Sequence, residues 1–139
     1  MFRGILFMGL LSRLNIWPAI WVTILVYGSV HLLNGFLTGN FSAALLQALL
    51  AGMIGVMLMA LRLRTKSLYP AMVIHGLYNF AVFTFGIAAG LARGPTQNVA
   101  EPSFLQQFLL SASIPLSLFL YGLWLLRGIG KKEKAEVLS

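Results

Sequence analysis

The chain has 139 residues, of which 59% are hydrophobic and only 9% are charged, and its mean hydropathy is +0.88. Soluble domains carry about 25% charged residues, so this composition excludes an ordinary soluble protein and predicts an integral membrane protein surrounded by lipid. The net charge of +7 does not indicate a nucleic-acid partner, because the basic residues flank apolar runs, where they orient membrane proteins. Without cysteine, the chain has no disulfides and no thiolate metal sites.

Five apolar segments follow one another along the chain. The first, from Phe2 to Leu11, is too short to cross a bilayer core, which takes about 20 helical residues. The four longer segments run approximately over Trp17–Leu33, Phe41–Leu61, Tyr69–Leu91 and Phe104–Leu126. We therefore predict an all-α membrane protein, a helical bundle of about four full transmembrane helices plus a partial N-terminal helix. No linker divides the chain, which predicts one transmembrane domain over residues 1–127 and a basic tail over residues 128–139.

Proline and glycine predict where these helices begin, bend and end. Pro18 and Pro70 suit first helical turns. Asn34-Gly35 is expected to end the second segment, and Pro115 is expected to kink the last one.

The distribution of basic residues predicts the orientation in the membrane. They concentrate between the segments Phe41–Leu61 and Tyr69–Leu91 and after the last segment: Arg62, Arg64, Lys66, Arg127, Lys131, Lys132 and Lys134. Arg13 falls on the same side of the membrane. By the positive-inside rule we expect a multi-pass protein whose C-terminal tail is cytoplasmic.

The segment over Phe41–Leu61 carries small residues at four-residue spacing. Ala44, Ala48 and Gly52 would let another helix approach closely, so they predict a packing seam rather than a site. Gln47, beside this seam, is expected to form a hydrogen bond to another helix.

Two histidines, the only ones in the chain, lie within apolar segments. His31 follows Tyr27 by four residues and His75 precedes Asn79 by four, so each pair shares one helix face. Ionisable groups inside a membrane are costly and mark function by default. His31 and His75 could together hold a divalent metal, and zinc is plausible, although catalytic zinc takes three protein ligands and only two are visible. Asn79 could donate to a developing oxyanion.

Other interpretations of these residues stay open at this point. Either histidine could simply form a hydrogen bond between helices, Arg3 could be a flanking charge, and two membrane histidines could ligate one haem. No apolar segment contains a carboxylate, because the acidic residues are Glu101, Glu133 and Glu136.

Three short motifs resemble those of the CPBP family, the CAAX prenyl protease and bacteriocin-processing (Abi) group of intramembrane endopeptidases. Phe2-Arg3-Gly4 resembles the end of the family's first motif, a glutamate pair followed by arginine. Tyr27 to His31 resembles the second motif, FxxxH, with tyrosine in place of phenylalanine. His75 to Asn79 resembles the third motif, HxxxN. The resemblance covers Phe2 to about Phe85.

The resemblance implies a metalloendopeptidase that cleaves prenylated CAAX-type or leader peptides with water activated by glutamate or metal. Its implied catalytic residues are Arg3, His31, His75 and Asn79, and its implied metal ligands are His31 and His75. The glutamate pair would precede Met1, so we expect that the chain is N-terminally truncated and inactive alone. A non-catalytic membrane scaffold or an immunity-type relative is the alternative, and a haem-binding protein is a more remote one.

One geometric condition must be met for a shared site. With a rise of about 1.5 Å per residue, His31 and His75 would differ in depth by about 12 Å if their helices began at Trp17 and Tyr69. If the two side chains were more than about 8 Å apart with no polar cavity between them, the shared site would be wrong.

Overall fold

The structure is a computed structural model, which describes the backbone of residues 2–93 and 103–130 and the side chains of residues 4–88 and 103–130. Every regular element in these ranges is helical, which confirms the all-α prediction. A π-helical turn over Phe2–Leu6 leads into seven helices: α1 (Phe7–Leu11), α2 (Ile16–Val30), α3 (Leu33–Thr38), α4 (Phe41–Thr65), α5 (Tyr69–Arg93), α6 (Phe104–Ser111) and α7 (Ser113–Leu126). The side chain of Arg3, the loop residue Glu101 and the tail from residue 131 lie outside the described residues.

The number of membrane spans agrees with the sequence prediction. Three stretches are long and apolar enough to cross a bilayer: Ile16–Thr38, Phe41–Thr65 and Tyr69–Ala88. Helices α6 and α7 meet at an angle of 59° and make a fourth span if they are counted together. The described part of the chain therefore contains three to four spans, with α1 as the short N-terminal helix.

The predicted helix end at Asn34-Gly35 is wrong, because the first span breaks earlier. Helix α2 ends at Val30, and the amides of His31 and Leu32 donate to carbonyls three residues back, at 3.0 Å each. Gly35 lies inside α3, where an added Cβ would meet the ring of Phe41 at 2.6 Å. Gly35 thus provides room for packing rather than a turn, and Gly39, with a φ of 72°, ends α3.

The predicted kink in the last span is confirmed. The chain bends at Ala112, between α6 and α7, three residues before Pro115. Proline has no N–H to donate to the carbonyl four residues earlier, and its ring clashes with that carbonyl. The bend next to Pro115 follows from this lost hydrogen bond.

Helix α4 lies at the centre of the described bundle and packs against α2 and α7. The buried core of this region includes Phe7, Leu11, Ile20, Val56, Met59, Ala60 and Leu126. The predicted small-residue seam faces α2: a Cβ on Gly28 would lie 3.1 Å from the Ala48 carbonyl oxygen and 3.8 Å from Gly52. On the α7 side, a Cβ on Gly122 would lie 2.7 Å from the Met57 backbone.

Helix α5 is attached to the bundle along one face only. Ala71, Ile74 and Tyr78 pack against a second cluster that contains Ile54 and Leu58 of α4. The other faces of α5 are lined by exposed apolar side chains that suit contact with lipid: Met72, Val73, Leu77, Phe80, Phe83 and Phe85. The packed face of α5 is the one that carries the residues of the candidate site.

Candidate active site

A cavity of about 390 Å³ lies between α2, α4 and α5. Its apolar walls come mainly from α4, with Leu46, Leu50 and Ile54. Each of the three helix regions adds polar side chains to it: Tyr27, His31, Gln47, His75, Tyr78 and Asn79. A mostly apolar pocket with a few convergent polar groups is the usual form of a ligand or active site.

His31 reaches the cavity from the point where the first span breaks. It caps the C-terminus of α2, in the tight turn that connects α2 to α3, and its side chain is half-buried. Tyr27 lies one turn earlier, and its ring contacts the imidazole of His31 edge to face with centroids 5.4 Å apart. The i, i+4 pair predicted from the sequence is thus a direct contact.

His75 and Asn79 form the second pair, on the face of α5 that packs towards α4. The side-chain amide of Asn79 donates to Nε2 of His75 at 3.1 Å. Because Nε2 accepts this hydrogen bond, the neutral ring carries its proton on Nδ1. Asn79 therefore fixes both the orientation and the tautomer of His75, and one N–H of its amide is left for a ligand.

Tyr27 connects the two pairs. Its ring contacts the imidazole of His75 with centroids 6.0 Å apart, in addition to its contact with His31. His31 and His75 therefore line one cavity, and both imidazoles contact the ring of Tyr27.

Two polar residues of the cavity, Gln47 and Tyr78, were not assigned to the site in the sequence analysis. Gln47 accepts a hydrogen bond at 2.7 Å from the side chain of Asn34, which confirms its predicted bond to another helix and ties α3 to α4 at the cavity. Tyr78 follows His75 by three residues and shares its helix face, so the spacing could have identified it.

The donor set of the cavity does not complete a metal site. Within residues 2–93 and 103–130 no group of three histidine, cysteine, aspartate or glutamate side chains lies close enough to hold a metal. The cavity offers two imidazoles, one of which already uses Nε2 to accept a hydrogen bond from Asn79. A catalytic zinc takes three protein ligands, so these residues do not fit one by themselves.

None of the described residues that line the cavity has a carboxylate. All three acidic residues of the chain lie outside the described ranges. The lining therefore offers amide and hydroxyl groups and two imidazoles, which can donate hydrogen bonds and bind a carbonyl oxygen.

In a comparison with protein-family models, residues 1–81 match the model described as type II CAAX prenyl endopeptidase Rce1-like. The matched range is more than half of the chain, and it contains Tyr27, His31, Gln47, His75 and Asn79 of the cavity. Helices α6 and α7 lie beyond it. Searches of curated proteins and of solved structures found no match.

Proposed function

The chain belongs to the type II CAAX prenyl endopeptidase Rce1-like family, as its motifs indicated, and we propose that the cavity between α2, α4 and α5 is its peptide-binding active site. Family membership implies an intramembrane CAAX-type endopeptidase function. The observation that carries the proposal is that His31 and His75 both contact Tyr27 in one cavity, with Asn79 hydrogen-bonded to His75. These residues come from two of the three motifs that resemble the family's.

The first role in this proposal is to bind the carbonyl of the scissile peptide bond. The N–H of Asn79 that is not donated to His75 would donate to the carbonyl oxygen, where negative charge develops when water adds to the carbon. The hydrogen bond from Asn79 to Nε2 holds the imidazole of His75 beside this position. His31 lines the same cavity and would contact the substrate across the ring of Tyr27.

Hydrolysis also needs a group that takes a proton from the attacking water and returns it to the leaving amine. In this reaction the water oxygen bonds to the carbonyl carbon and the C–N bond breaks. Since no described residue of the cavity has a carboxylate, we expect the 139-residue chain to bind a CAAX-type peptide without cleaving it. A divalent metal at His31 and His75 would polarise the carbonyl, but it needs a further ligand, so no step is assigned to it.

The test is to measure binding and cleavage of a farnesylated CAAX peptide by the purified chain. We expect saturable binding that His75→Ala and Asn79→Ala each weaken about tenfold, which is the loss of about one hydrogen bond to a ligand. Thr84→Ala, an exposed polar position on the same helix and outside the cavity lining, is the matched control. Absence of saturable binding would contradict the site, and cleavage that is lost on His75→Ala would contradict the expected inactivity.

A non-catalytic membrane relative is the second candidate, and it is favoured because no described residue of the cavity has a carboxylate. Such a protein would use the same helices as a scaffold or for immunity without peptide hydrolysis. A cellular function that survives the double substitution His31→Ala, His75→Ala would support the scaffold. Loss of that function in the double variant would support the peptide site.

We also propose that the face of the bundle with Arg62, Arg64 and Arg127 is cytoplasmic. Basic residues flank the ends of α4 and α7 on that face, and the positive-inside rule assigns such a face to the cytoplasm. The C-terminal tail would then be cytoplasmic as well.

A further inference from the structure

One face of the bundle collects most of the basic side chains. The α1–α2 turn, the end of α4 and the end of α7 all lie on this face, because the residues next to them pack in one buried cluster: Leu11, Ile16, Leu63 and Leu126. The basic residues there are Arg13, Arg62, Arg64, Lys66 and Arg127. The opposite end of α5 carries Arg93.

The described residues supply no anion to balance these charges, because no aspartate or glutamate occurs among them. The guanidinium of Arg64 already forms two hydrogen bonds within the fold. Its Nε donates to the Leu125 carbonyl at 2.7 Å, and its Nη2 donates to the Arg127 carbonyl at 2.6 Å. Arg62 differs, since its Nε is buried and makes no hydrogen bond to any described residue. Arg13 and Arg127 are exposed.

Aromatic side chains mark the same face as a membrane–water interface. Trp17 and Tyr69 lie at the starts of α2 and α5, and Trp124 lies near the end of α7. All three are exposed, Tyr69 the most at 78%. Tryptophan and tyrosine prefer the headgroup level of a bilayer, so the basic side chains beside them lie within reach of lipid phosphates.

We propose that this face binds anionic phospholipid headgroups through Arg13, Arg62 and Arg127, none of which has an acidic partner among the described residues. The positive-inside rule explains on which side such charges lie, but it predicts no preference for one lipid over another. A basic cluster next to membrane helices does predict such a preference, of about fivefold for each basic residue near the surface. The partner is thus a phosphatidylglycerol-type headgroup rather than a zwitterionic one.

The three tryptophans of the chain allow a direct measurement. The purified chain is reconstituted in bilayers of phosphatidylcholine and phosphatidylglycerol, with bromine on the acyl chains of one lipid at a time. Quenching of tryptophan fluorescence then gives the binding constant of the anionic lipid relative to the zwitterionic one. We expect a preference for phosphatidylglycerol of at least about fivefold, which decreases as salt is added.

The substitutions distinguish an effect of the basic residues on this face from a general effect of the protein's positive charge. The triple variant Arg13→Gln, Arg62→Gln, Arg127→Gln is expected to bring the ratio to about one, whereas Arg93→Gln at the opposite end of α5 should change it by less than about twofold. If the triple variant does not regain the helical circular dichroism of the parent, the exposed pair Arg13→Gln, Arg127→Gln replaces it and should at least halve the preference.

Three results would overturn the proposal. The first is a ratio of about one for the unaltered chain. The second is a preference that survives in a folded triple or double variant, or that Arg93→Gln lowers equally. The third is release of the quenching lipid by inorganic phosphate but not by chloride at equal ionic strength, which would indicate a site for free phosphate instead of a lipid headgroup.

Discussion

Helix α4 has two neighbours, α7 and α5, that are attached to it in very different ways. Against α7 the backbones approach so closely that Gly122 has no room for a Cβ, and Arg64 ties the end of α7 to the end of α4. Against α5 the contact is one strip of side chains around Ala71. In the most apolar stretch of α4 half of the residues are buried. In the corresponding stretch of α5 the buried share is 6%.

The difference separates the part of the described bundle that stabilises the fold from the part that carries the site. In a bilayer there is no hydrophobic drive between helices, so close packing of small residues and hydrogen bonds provide the stability. The α4–α7 contact has both features. The α4–α5 contact has less close packing and fewer hydrogen bonds. Regions with few buried contacts open locally at a lower free energy than the rest of the fold. We therefore expect substitutions in the two regions to act on different properties.

The largest effect on stability is expected from a substitution where α4 and α7 are in contact. In Gly122→Ala the new Cβ would lie 2.7 Å from Cα and N of Met57, so the two backbones must separate. We expect the free energy of unfolding to fall by about 1–3 kcal/mol, the usual cost of overpacking. Unfolding in detergent micelles, followed by circular dichroism, measures it.

The matched control is Gly86→Ala in α5, where an added Cβ would have no heavy atom within 4 Å. Since alanine has the higher helix propensity, this change should be neutral or stabilise by up to about 1 kcal/mol. Equal destabilisation by the two substitutions would contradict the comparison between α7 and α5.

A smaller effect is expected at the clamp between the ends of α4 and α7. Arg64→Gln removes the charged guanidinium whose Nε and Nη2 donate to Leu125 and Arg127, and we expect a loss of about 1–2 kcal/mol because both acceptors lie near the surface. Arg64→Lys keeps the charge but not the forked geometry, so it should recover less than half of the loss. Full recovery by lysine would show that charge alone holds the end of α7.

The fold was largely predictable because its signals are local. The lengths of the apolar runs predicted the number of membrane spans, and Pro18, Pro70 and Pro115 marked two helix starts and one bend. The prediction that a helix ends at Asn34-Gly35 was wrong because of a contact between helices. Gly35 is needed where Phe41 packs against α3, and no local pattern distinguishes a glycine that gives room from one that ends a helix.

The candidate site was predictable only within each helix. The spacings of Tyr27 to His31 and of His75 to Asn79 gave the two pairs, because residues four apart share a helix face. The contact of Tyr27 with His75, and the place of Gln47 in the cavity, depend on how α2, α4 and α5 are rotated against one another. Packing between α2 and α4 at Gly28 and Gly55, and between α4 and α5 at Ala71, fits that rotation, and the motif spacings do not encode these contacts.

The smallest effect on stability is expected at Asn79, because its side chain is exposed on the lightly packed helix. Asn79→Ala should change the free energy of unfolding by no more than about 0.5 kcal/mol, as is usual for exposed positions. The ring of His75 should respond nevertheless, since it loses the donor that makes Nε2 the acceptor. The nitrogen chemical shifts of the imidazole, measured by NMR on the labelled chain, report the tautomer and should move towards a mixture of the two neutral forms. Thr84→Ala should leave those shifts in place, and a His75 signal that Asn79→Ala does not alter would contradict the positioning role of this amide.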